Sequence, residues 1–308
     1  MKKLPYRITG LLLIALLSIY LLIPGKIAVS EIEQVESSEK IISRYLNNAS
    51  ERAKWWTNVK TDTAFRSSHF QYEFIRAGYN SSEVRISSKG FKNNSTITWT
   101  PHANNIVEIR WNTSLTTSLN PVRRLLQYLE ARQVKSDMAS IMERLLTFIV
   151  KSNNVYSLNI ERHIVKDTIL ATSSMTSTRY PTTPEVYQLI NSVKSFVKKQ
   201  DAEQVNPPML NISGSPEGRF RTRVALPINK YIKADQGVLI NRMVAGNILV
   251  AEIKGGPNTI LRGFNQIKIY MEDFKLTSPA IPFESLITDR SAEPDTTEWI
   301  TKIYYPIY

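Results

Sequence analysis

The stretch "PFESLITD" puts a single carboxylate, Glu284, between an aromatic residue and an apolar run. In an extended strand side chains alternate, so Phe283, Ser285 and Ile287 share one face and Glu284, Leu286 and Thr288 the other. A glutamate among apolar residues mid-strand is costly unless a positive charge meets it. Two sources of that charge stay open: a cationic ligand held between aromatic walls, or one of the neighbouring Lys and Arg residues. Trp299, Tyr304, Tyr270, Phe264 and Tyr187 are the candidate wall residues, with Phe283 beside the carboxylate. For each of them taken singly, plain packing is the stronger reading. Glu284 acts as a general base only if its environment tunes it for proton transfer.

Other chemistries lack their residues. The chain has no cysteine, which removes disulfides, thiolate metal sites and cysteine nucleophiles. Its three histidines, His69, His102 and His163, are far apart, and no H-x-x-x-H or H-E-x-x-H spacing occurs, so no metal site is expected. Asp289, Asp295 and Glu298 lie among turn and cap residues without ligand spacing. No G-x-S-x-G, P-loop or dinucleotide glycine motif is present, and "SGSPEG" and "KGGP" read as turns, so no cofactor is expected.

The elements that must position these residues belong to a chain of 308 residues, long enough for about two domains. Apolar residues make up 42% and charged residues 21%, a balance that supports a sizeable core, and the formal net charge is +12. The positive charge is spread along the chain, which suits an anionic membrane surface and gives no DNA-binding module, so no nucleic-acid partner is expected. At the N-terminus, Lys2, Lys3 and Arg7 precede an apolar run, and Leu4 to Ile23 has the length that crosses a bilayer. Residues 1–25 therefore read as a membrane anchor, with a cleaved signal peptide as the alternative. As an anchor it places the N-terminus in the cytoplasm, and either way the bulk is expected outside it.

From Lys26 a strand is followed by two short helices, "SSEKIISRYLNN" with Ser37 or Ser38 as cap and "ASERAKWW", then by several strands between Asn/Ser/Gly turns. Residues 120–152 hold one or two helices, with Met138, Ile141, Met142, Leu145, Leu146 and Ile149 on one apolar face. "PGKIAVSEIEQVESSEKIISRYLNNASERAKWW" resembles the start of the START-related (SRPBCC, polyketide cyclase-like) superfamily over residues 26–152. The resemblance implies a helix-grip fold around an apolar cavity and carries over no catalytic residue. Trp55 and Trp56 are expected to pack the short helices onto the sheet.

Residues 153–308 contain an internal repeat. In each half a strand precedes a helix opening at a proline, Pro184 and Pro257, and a second strand begins 24 or 25 residues later at Pro208 or Pro282. "RTRVALPI" (221–228) and "ITKIYYPI" (300–307) close the halves and align without gaps. The pattern "EIKGGPNTILRGFNQIKIYMEDFKL…IPFESLITDRSAEPDTTEWITKIYYPI" resembles the gyrase-inhibitor-like (GyrI-like) effector-binding domain of AraC- and MerR-type transcription activators. That likeness implies two βαββ halves about a pseudo-twofold axis, with a groove between them for amphipathic, often cationic aromatic compounds. It also raises hydrolysis of small electrophiles as an alternative, and regulation of transcription as a second. Asn258 stands where many relatives have an aromatic, and Lys302 where many have an acid, which favours a neutral or zwitterionic ligand. The expected whole is α+β: an anchor helix, a START-like domain, then a duplicated βαββ domain that binds a small hydrophobic or amphipathic molecule.

Overall fold

The computed structural model describes residues 4–56, 59–61, 64–67, 70–89, 91–165, 168–243 and 245–308. The chain divides into two compact units, Met1–Lys151 and Ser152–Tyr308.

The first unit opens with helix α1 (Leu4–Leu22). Among the described residues no helix is long and apolar enough to cross a membrane, so the crossing expected over residues 4–23 has no support in the structure. Residues 1–3 lie outside the described ones. Strand β1 (Lys26–Glu36) alternates as its sequence dictates and leads into α2 (Glu39–Asn47) and α3 (Ala49–Trp55). Of the two serines, Ser38 is the cap, its hydroxyl accepting from the Lys40 N–H at 3.1 Å. Strands β2 (Val59–Thr61), β3 (Ala64–Ser67), β4 (Phe70–Ala77), β5 (Ser81–Ser88), β6 (Phe91–Pro101) and β7 (Ile106–Thr116) follow. They form one antiparallel sheet in the order β1-β7-β6-β5-β4-β3-β2.

One 29-residue helix, α4 (Pro121–Ile149), then packs on this sheet. Asn120 caps it and Pro121 takes the first turn, where a missing N–H costs nothing. Its buried face is Ala131, Val134, Met138, Ile141, Met142, Leu145 and Ile149; Leu146, expected on that face, is only partly covered. The resemblance implied an apolar cavity here. Aromatic rings stack in this unit's core, with Trp56 5.8 Å from Tyr72 and Tyr72 5.7 Å from Trp111. Tyr72 donates to the buried Asp137 of α4 at 3.2 Å. Burial, reinforced by the Asp137 charge, pushes the Tyr72 hydroxyl far above the ordinary tyrosine range. Trp55 and Trp56 are both core residues, the former donating to the Tyr45 carbonyl at 3.1 Å.

The second unit begins with α5 (Ser152–Tyr156) and β8 (Glu161–Val165). Its first half is β9 (Thr168–Ser177), α6 (Thr183–Lys199), β10 (Met209–Gly214) and β11 (Phe220–Ile228). After β12 (Leu239–Met243), the second half repeats the pattern as β13 (Gly246–Lys254), α7 (Pro257–Asp273), β14 (Phe283–Leu286) and β15 (Ile300–Ile307). All eight strands form one sheet, in the order β12-β9-β11-β10-β14-β15-β13-β8. The halves meet at the central pair β10·β14, where Leu210 lies opposite Glu284 and Met209 opposite Ser285.

One detail corrects the sequence reading. The runs read as one strand before each helix are two, and the early piece crosses to the other half: β8 pairs with β13, and β12 pairs with β9. Pro227 and Pro306 sit within their strands, opposite Leu170 and Ile248. The ladder to the central neighbour has already ended, at Met209↔Ala225 and at Phe283↔Tyr304, so the proline nitrogen faces the side without a partner strand.

Candidate functional site

One face of the eight-stranded sheet carries α6 and α7. Val224, Leu226, Leu210 and Leu286 point to this face and pack with Val186, Ile190 and Val193 of α6. Helix α7 comes down onto β13 and β15 because position 263 has no side chain. A Cβ there meets Ile253 Cδ1 at 2.0 Å and Ile303 Cδ1 at 3.0 Å. Between the helices lies a groove of about 320 Å³. Tyr180, Tyr187, Phe264, Trp299 and Tyr305 line its walls, and Leu210, Leu286 and Glu284 lie at its floor.

Glu284 is not free. Arg290 meets it at 2.6 Å, with the two side chains 9% (Arg290) and 13% (Glu284) exposed. The same Nη2 donates to Thr301 Oγ1 at 2.8 Å, and the guanidinium lies 4.8 Å over the Trp299 ring. The backbone N–H of Arg290 donates to the Tyr187 hydroxyl at 2.7 Å, and the Tyr187 O–H reaches the Thr288 carbonyl at 3.4 Å. Trp299 is fixed in turn by its Nε1–H, which donates to the Glu293 carbonyl at 2.9 Å. Burial pushes the hydroxyls of Tyr180 and Tyr187 above the usual tyrosine range, and the Glu284 charge adds to the effect at Tyr180. The groove therefore offers flat aromatic walls and an apolar floor that carries one internally neutralised ion pair.

The sequence-derived residues divide. Glu284, Trp299, Phe264 and Tyr187 converge on the groove. Phe283 and Tyr304 do not: they stack on each other across β14 and β15, 5.0 Å apart and nearly parallel, on the face away from the helices. Tyr270 packs against Tyr156 and Phe274, outside the groove. Lys302 follows the parity of Tyr304 and pairs with Glu252 at 3.6 Å, so its charge does not bear on Glu284 from within the groove. Of the two sources of charge left open by the sequence, the structure shows a neighbouring arginine, Arg290, which sequence reasoning did not single out; it also missed Tyr305. For Arg290 the signal was present, a cation six residues beyond a strand carboxylate. Asp289, Asp295 and Glu298 serve locally: Asp289 accepts from Ser291, Asp295 caps the short turn at Thr297, and Glu298 pairs with Lys254. Among the described residues no group of three or more His, Asp or Glu side chains is placed to hold a metal.

No known protein family and no curated protein matches the chain. Solved structures similar to it include the C-terminal domain of EcmrR, at 15% identity and a TM-score of 0.43, covering 49% of this chain and 98% of that one. An EcmrR–DNA complex matches at 17% identity and a TM-score of 0.44, covering 62% and 72% of the two chains. A hydrolase from Listeria innocua matches at 12% identity and a TM-score of 0.39, covering 48% and 91%.

Proposed function

We propose that residues 152–308 form a GyrI-like effector-binding module whose site is the groove between α6 and α7, within a protein that binds small amphipathic or aromatic molecules at a membrane. The observation that carries this reading is the groove itself. It has aromatic walls, an apolar floor, and a buried charge pair among its lining residues. Because Arg290 already lies over Trp299 and against Glu284, the protein supplies its own cation. The preferred ligand is then neutral or zwitterionic, and a cationic aromatic compound binds well only once Arg290 is removed. A hydrolase needs Glu284 to take a proton from water, and here a guanidinium occupies one of its oxygens.

The test is calorimetric titration of the full chain with rhodamine 6G, a cationic dye, and with a neutral planar aromatic of similar size. The neutral compound is expected to bind the wild type more tightly. Arg290→Met is expected to reverse the order, and Arg290→Met combined with Glu284→Leu to abolish the gain for the dye. Equal weak binding of both compounds by all three proteins overturns the proposal.

Membrane attachment through residues 4–23, with the bulk outside the cytoplasm, is part of the same proposal. Its support is the basic–apolar order of the N-terminus. Helix α1 leaves Leu13, Ile14, Leu17, Leu21 and Leu22 exposed, which suits contact with a bilayer and is no evidence of a crossing. The start of α4 adds exposed Val122, Leu126 and Leu129. It lies beside the end of α1, where Arg124 donates to the Ile23 carbonyl at 2.9 Å. Retention of the full chain in membranes washed with alkaline carbonate is the expected result, and complete release opposes it.

A further inference from the structure

The face of the eight-stranded sheet turned away from α6 and α7 holds a second cavity of about 850 Å³, more than twice the volume of the groove. All eight strands contribute to it. The crossed strands β12 and β8 bring Leu239 and Val165 to it, and the segment Pro279–Ile281 adds a further wall. Strand alternation decides what points inward: Leu170 and Thr172 from β9, Arg221, Arg223 and Ala225 from β11, and Phe283 from β14. The aromatic residue that the sequence placed beside Glu284 thus belongs to a different site.

Among the described residues the charge content of this cavity is one-sided: its lining carries Arg221 and Arg223 from β11 and no acidic residue. Arg221 and Arg223 project side by side from one face of β11. Arg223 is held by neutral partners, donating to Asn211 Oδ1 at 3.1 Å and to Ser213 Oγ at 2.9 Å, neither of which offsets its charge. Burial, with the charge of Arg221 added, holds the Arg223 guanidinium below its ordinary pKa, and an anion placed between them relieves both effects. Away from the arginines the lining mixes apolar residues, Leu170, Ile248, Phe283 and Pro306 among them, with Asn, Ser and Thr residues. The volume is in the range of sites that enclose a whole small molecule.

We propose that this cavity binds an amphipathic anion, a carboxylate- or phosphate-headed molecule with an extended apolar body. Its head lies at Arg221 and Arg223, where two guanidinium forks suit either oxyanion. Its body lies over Phe283, Ile248 and Pro306. This site is separate from the groove that contains Glu284, and a ligand in one makes no contact with the other's charged residues.

Equilibrium dialysis of the full chain against decanoate, decyl phosphate, decanol and decyltrimethylammonium tests the assignment. Decanoate, decyl phosphate or both are expected to bind at one per chain, with the ammonium compound and the alcohol at least tenfold weaker. Binding of the carboxylate alone points to a fatty acid, and binding of the phosphate alone to a phosphorylated lipid. Arg221→Gln, at an exposed position, and Arg221→Gln/Arg223→Gln are expected to weaken binding progressively, the double variant at least tenfold. Ala225→Trp, which fills the cavity, removes binding, whereas Glu284→Leu leaves it unchanged. Far-ultraviolet circular dichroism confirms that each variant is folded. The proposal fails if none of the decyl compounds binds, if the ammonium compound binds as tightly as the anions, or if folded Arg221→Gln retains wild-type affinity.

Discussion

Replacing Glu284 by leucine installs the residue that faces it across the central strand pair at position 210, so the apolar side chain has a proven fit in the sheet. It also strands Arg290. The guanidinium is 9% exposed and loses its only anionic contact found among the described residues, while keeping Thr301 Oγ1 and the Trp299 ring. Breaking a buried pair from one side costs about 3–5 kcal/mol, and the retained contacts place this case near the lower end, about 3 kcal/mol. For a unit of this size that corresponds to a fall in melting temperature of roughly 6–12 °C. The double variant Glu284→Leu/Arg290→Met removes both charges, and apolar replacement of a whole buried pair is often neutral or stabilising. Scanning calorimetry reads the transitions, and hydrogen exchange at β14 and β15 assigns the affected one to this unit. If Glu284→Leu and the double variant are destabilised equally, the cost lies in packing, and the reasoning from a stranded charge is refuted.

Gly263→Ala should gain about 1 kcal/mol of helix propensity yet lose more to overpacking against Ile253 and Ile303. A net destabilisation of roughly 1 kcal/mol in urea unfolding is expected, and a stabilised variant opposes the close-approach argument. Ser38→Ala, which removes the cap of α2, is expected to cost about 1 kcal/mol by the same measurement. The pH dependence follows from Tyr72, Tyr180 and Tyr187, whose folded values are raised above the reference of 10.0. Their contribution is complete below that reference and is lost as pH rises above it toward the folded values, because the unfolded chain releases those protons first. Stability measured between pH 9 and pH 11 should therefore fall, and Tyr72→Phe should flatten the fall.

The repeat was legible because proline marks each half twice. Pro257 opens α7 and Pro184 stands in the first turn of α6, while Pro208 and Pro282 immediately precede β10 and β14. Local alternation also separated Glu284 from Phe283 correctly. It failed at Tyr304 and Lys302 because their facing depends on the register between β14 and β15, where Glu284 lies opposite Ile303 and Phe283 opposite Tyr304. A one-residue slip in that register exchanges Tyr304 for Tyr305 at the groove. Nothing within either strand specifies it. The crossing of β8 and β12 was illegible for a similar reason, since each continues an ordinary strand pattern and only its partner is unexpected. Likewise, the break between α4 and α5 falls at Val150 and Lys151, without a proline or glycine to mark it.

Those crossed strands have a further consequence. Each half of the second unit completes the other's outer edge, so neither half is a closed sheet by itself. Cut apart, a single βαββ half with its leading strand has one strand to donate and one edge that needs a strand. Two copies of such a half satisfy both needs by trading leading strands, in the manner of a swapped dimer. A twofold homodimer is thus the simplest ancestor of this unit, and joining two copies in one chain converts a concentration-dependent assembly into a permanent one. Once joined, the halves are free to diverge at symmetry-related positions, as they have where leucine faces glutamate across the axis.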